Sequence, residues 1–171
     1  MTEEVKIYRQ GEKEPILSEG EKAAMEYRRQ LENGNLQRAH RLGEALCSLF
    51  LGMPVAGEFA AQQWVLLSFL AENELEHQVG SSIISQSAHS RFAELLEQQS
   101  PELARTVHDA RAFTLYTLNE TRRTPRSEGE IFARLCGCPE QEEVIELGER
   151  LSQDFTDRIT GLIAAAGFIT E

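Results

Sequence analysis

The sequence predicts an all-α fold: a compact bundle of six to seven helices preceded by an extended N-terminal arm. Three observations predict it. Apolar side chains recur at three- and four-residue steps through most of the chain beyond residue 18. Ser, Pro, Gly and Asn fall where those runs begin and end. Strand-like alternation is confined to Val5 and Ile7 against Lys6 and Tyr8, too short a run to count. At 171 residues, with 41% apolar and 26% charged side chains, one domain can bury a core without disulfides.

Residues 1–17 read as an arm broken by Gly11 and Pro15, and residues 18–171 as a single helical domain. Ser18 and Glu21 have capping-box spacing and open the first helix, with Ala24, Tyr27 and Leu31 expected on its buried face. Asn33-Gly34-Asn35 ends it, because Gly and Asn tolerate the left-handed backbone of a helix stop. Leu36, Ala39, Gly43, Leu46 and Phe50 then mark the cleanest apolar stripe in the chain, stopped by Gly52 and Pro54. So short a link predicts an antiparallel hairpin.

A third helix over 56–72 carries WVLLSFLA, apolar around most of its circumference and so expected to be central. Helical rhythm continues over 73–98, with kinks or breaks expected at Gly80-Ser81-Ser82 and Ser85-Gln86-Ser87. Ser100-Pro101-Glu102 opens a helix with Leu103, Val107, Ala110, Phe113 and Leu118 on one face. Residues 121–126 form a connector, and Ser127 with Glu130 repeats the capping-box spacing before Ile131, Phe132 and Leu135. Gly137 closes that helix. Pro139 begins the last one, with Val144, Gly148, Leu151, Phe155 and Leu162 along its face and Gly167 at its end.

The formal net charge of −11 disfavours nucleic acid and anionic membrane surfaces as partners. Trp64 to Ala71, the longest apolar run, is too short to span a bilayer. Three cysteines make no disulfide framework, and the charged N-terminus has no apolar signal segment, so a cytoplasmic location is expected.

Four features carry candidate chemistry. Glu74 and His77 have the Glu-x-x-His spacing of carboxylate metal sites, without a second copy elsewhere. Cys136-Gly137-Cys138 offers two thiols at a turn, with no second pair to complete a zinc set, and reads as structural. Arg122, Arg123 and Arg126 form a small basic patch suited to a carboxylate or phosphate. Trp64, Phe69 and Phe59 line the central helix, where such spacing more often means core. No nucleophile elbow, phosphate loop or dinucleotide fingerprint occurs, and no cofactor is implied.

The reading the sequence favours is a non-enzymatic interaction or assembly protein, joining a protein partner or a second copy through helix faces. Its rival is a ligand-binding or catalytic helical domain whose site is assembled from distant residues. A convergence of polar groups with perturbed pKa in one pocket would favour the rival. A metal-carboxylate bundle using Glu74 and His77 stands third.

Overall fold

A computed structural model describes residues 16–122 and 124–170. Almost all of the arm, and Arg123, lie outside the described residues. Eight helices and no strand occur among those described: α1 (Glu19–Glu32), α2 (Asn35–Leu51), α3 (Ala60–Gln78), α4 (Ser82–Gln99), α5 (Pro101–Thr106), α6 (Ala110–Glu120), α7 (Ser127–Leu135) and α8 (Glu142–Ala166). The all-α class holds, and the extra helix comes from the chain breaking once more than its rhythm suggests.

The core is one cluster running from Ala39 on α2 to Ile159 on α8. α2 lies closely along α4, and Gly43 is what permits it: a Cβ there would come within 2.5 Å of the Ala88 carbonyl oxygen. Leu36, Ala39, Leu46 and Phe50 are buried as their spacing predicts. α3 is central, with Val65 through Ala71 buried without interruption. Phe69 stacks on Tyr116 at 5.2 Å and meets Phe113 edge-on, while Trp64 packs against Phe50, so the aromatic residues of α3 are core rather than a cavity wall. α8 crosses the far side, placing Val144, Leu151 and Phe155 in the core and Leu162 half-buried.

The Ser18–Glu21 capping box forms, the Ser18 hydroxyl accepting from the Glu21 amide at 3.2 Å. The buried face assigned to α1 does not. Tyr27 and Leu31 are 52% and 57% exposed, Ala24 is also exposed, and only Gln30 is buried. α1 docks through hydrogen bonds instead of apolar side chains. The Gln30 oxygen accepts from Asn35 at 2.7 Å, and its amide donates to Glu26 at 2.6 Å. Asn35 in turn holds Ile169 at both its amide (2.9 Å) and its carbonyl (2.8 Å). Buried amides demand such partners, and this network keeps Gln30 inward and leaves the apolar stripe outside.

Four boundaries differ from the sequence expectation. α3 begins at Ala60 rather than 56, because residues 57–59 turn around Gly57 at φ +88°. The chain breaks at Val79-Gly80-Ser81 but not at 85–87, where the Ser85 hydroxyl bonds back to the Ser82 carbonyl and stays within α4. The run from Pro101 divides into α5 and α6, since the Asp109 carboxylate caps a new helix by accepting from the Ala112 amide at 3.0 Å. That division leaves Ala110 and Leu118 exposed rather than on a shared buried face. α8 begins at Glu142, after a turn over 138–141 closed from the Gln141 amide to the Cys138 carbonyl.

Candidate functional site

A cleft of about 420 Å³ opens where α3, α6, α7 and α8 meet. Its walls come from Glu74 on α3, Asn119 and Glu120 at the end of α6, the connector Thr124–Arg126, Ser127 and Glu128 at the start of α7, and one face of α8. That α8 face is Glu149, Ser152, Gln153 and Thr156, spaced i, i+3, i+4, i+7. It runs beside the buried apolar stripe of the same helix, so the cleft is the polar rim of the core.

α7 is pressed onto α8 to make the floor. A Cβ on Gly129 would come within 2.3 Å of the Ile145 carbonyl oxygen, so only glycine allows this approach. The Gly129 amide donates to the Glu149 carboxylate at 2.7 Å, so a side chain of α8 satisfies an orphan donor at the α7 N-terminus. The Ser127–Glu130 capping box expected from sequence is absent. Arg126 is the N-cap, in left-handed backbone at φ +67°, and the Ser127 hydroxyl donates to the Thr124 carbonyl at 2.7 Å. This tight turn aims Glu128 into the cleft.

Glu128, half-buried in the cleft, has its proton affinity raised by its surroundings. Burial raises its pKa above the ordinary carboxylate range, and the Glu120 and Glu149 charges raise it further, against a hydrogen bond from the Ser152 hydroxyl that lowers it. Asn119, 9% exposed, also lines the cleft.

The structure brings together two of the residues singled out from sequence, Glu74 and Arg126, in the lining of the cleft. Glu74 lines the cleft and accepts from Gln78, whereas His77 is exposed and its Nδ1–H donates to the Asn73 carbonyl at 2.7 Å. Among the described residues no three His, Cys, Asp or Glu side chains are placed to hold a metal ion. Arg126 sits at the cleft edge paired with Glu142, Arg122 is exposed away from it, and Arg123 lies outside the described residues. Of the three arginines, Arg126 alone among the described residues lines the cleft, beside Glu74, Glu120, Glu128 and Glu149.

Cys136 and Cys138 flank Gly137 at the end of α7, both half-buried and free. Burial, then the neighbouring Cys138 and Glu58, push the Cys136 thiol up to about 11, which keeps it protonated at neutral pH and a poor nucleophile.

Sequence reasoning missed Asn119, Glu120, Glu128, Glu149, Ser152 and Thr156. One signal was available, the polar stripe on α8 at the same helical period as the apolar one. The sequence matches no known protein-family model, and no curated protein or solved structure matches it, so the cleft is read from its own chemistry.

Proposed function

We propose that this chain is a ligand-binding helical domain, taking a small polar molecule in the cleft between α3, α6, α7 and α8. One observation carries the reading. Side chains far apart in sequence, from Glu74 to Thr156, converge on one cavity around a half-buried carboxyl whose proton affinity is raised. Groups whose ionisation is held away from its ordinary range gather at functional sites, because desolvation and like charge together disfavour them elsewhere. Backbone NMR during titration with a mixture of charged and neutral fragments tests this. Shifts should cluster at residues 119–128 and 149–156; shifts confined to other surfaces, or none at millimolar fragment, would remove the proposal.

A second reading, association of two copies through α1, rests on a separate observation. Ala24, Tyr27 and Leu31 fall within about 60° of one another around the helix and face outward. An exposed apolar stripe of this kind is how an amphipathic helix meets a partner. On this reading the chain is an assembly protein, and the cleft is a secondary feature of it.

A further inference from the structure

α1 is poorly accounted for by contacts within one chain. A helix of 14 residues is marginal in water by itself and ordinarily owes its stability to an apolar face packed on a neighbour. α1 buries only Gln30. Four of the six large apolar side chains exposed among the described residues, Ile16, Met25, Tyr27 and Leu31, lie on it or just before it. Its outward seam is Gly20, Ala24, Tyr27 and Leu31, spaced four, three and four, the repeat by which two helices interlock. Such a seam accepts many partners, and charge chooses among them. Glu21 and Arg28 each follow a seam residue by one position, so they lie on the same flank, about two turns apart. Arg28 is exposed and pairs with no described residue. Glu21 accepts from the Ser18 amide through Oε2 at 2.8 Å, which leaves its other carboxylate oxygen available.

Resting on the second reading above, association through α1, we propose that a second copy of the chain covers this seam, with the two α1 helices antiparallel and Arg28 of each paired with Glu21 of the other. In that register Leu31 of one copy lies over Gly20 of the other, and Ala24 lies beside Tyr27. Gly20 has room for this, because a Cβ there would meet only the Ser18 Oγ, at 4.0 Å. The flanking residues then fall together as Arg28 against Glu21, twice over by two-fold symmetry. Parallel helices would set Arg28 beside Ala23 of the second copy and leave it without a carboxylate. The charge of −11 on each copy opposes self-association, but it is screened beyond about 8 Å at physiological salt, while the Arg28–Glu21 pairs act at contact.

Sedimentation equilibrium of the full chain at physiological salt tests this by charge exchange. The wild type should dimerise. Arg28→Glu and Glu21→Lys should each dimerise about tenfold more weakly or worse, since like charges then meet at two symmetric places. An equimolar mixture of the two variants should recover wild-type association to within about threefold, because each carries the charge that the other lacks. Both variants remain strongly acidic overall, so bulk attraction does not mimic that recovery. A mixture no stronger than its components, with a wild-type dimer that Leu31→Asp still dissociates, overturns the antiparallel pairing and leaves association through α1 standing. A wild type that stays monomeric at millimolar concentration removes both. Should Glu21→Lys unwind α1 by breaking the capping box, isotope-filtered NOEs on mixed-label wild type decide. Contacts from the Leu31 methyls of one copy to Gly20 of the other support the register, and contacts from Leu31 to Leu31 overturn it. Contacts from the Tyr27 ring to residues 1–15 in a monomer give the seam to the chain's own arm and likewise overturn it.

Discussion

Glu128 shows how a single side chain acquires its character from neighbours it does not meet in sequence. Its carboxyl binds a proton more tightly folded than unfolded, because burial, then Glu120 and Glu149, disfavour the charge. The stability this confers is fully present below the unfolded carboxyl pKa and is lost as pH rises through the raised folded value. Glu128→Gln removes the titration while keeping an acceptor for Ser152. The melting temperatures of wild type and variant should therefore match near pH 4 and diverge as pH approaches neutral, with the variant the more stable. In a chain of this size each ~1 kcal/mol appears as about 2–4 °C. Curves that stay parallel from pH 4 to 8 would show that Glu128 titrates as an ordinary surface carboxylate. None of this was legible from residue 128 in the sequence, where Ser-Glu-Gly-Glu reads only as a helix start.

At the scale of elements, the boundaries that shape the cleft are set by single capping groups. The Asp109 carboxylate starts α6 and so fixes where Asn119 and Glu120 end it. Asp109→Ala should cost about 1 kcal/mol, the ordinary loss for an N-cap, read as a lower denaturation midpoint at unchanged slope. A loss under a few tenths would mean that packing alone restarts the helix. The sequence expectation of one helix from Pro101 to Leu118 failed here because the apolar rhythm passes through Val107 and Ala110 without interruption. Asp109 has the side chain of an N-cap, but it falls inside that rhythm, where the apolar period gives no sign of a break. Stripes with an uninterrupted apolar period, on α2 and α8, were located correctly, because there the period and the burial coincide.

For the whole molecule, the contrast between Leu46 and Leu31 separates core from surface. Leu46 is 0% exposed within the central cluster, while Leu31 on α1 is mostly exposed. Leu46→Asp should unfold the chain, since an unpaired charge in the core costs several kcal/mol, of the order of a small domain's whole stability. Leu31→Asp should leave the melting temperature within about 2 °C of wild type, in line with a surface change. If two copies associate through α1, it should also convert a sedimenting dimer to monomer. A dimer that survives Leu31→Asp would remove that second reading. Among the described residues no helix is long and apolar enough to cross a membrane, as the short apolar run of α3 indicated.

The order of residues by itself determined the class of fold, the inward faces of α2, α3 and α8, and the glycine stops at residues 34, 137 and 167. Each of these depends on side chains close in sequence and on a local backbone preference. The tertiary structure alone decided which face of α1 turns outward and which carboxylates meet. Both outcomes depend on distances between helices: a buried amide chooses its partner on another segment, and an acid becomes hard to ionise only once burial and other acids surround it. The α7–α8 approach at Gly129 supplies that geometry, and the cleft follows from it.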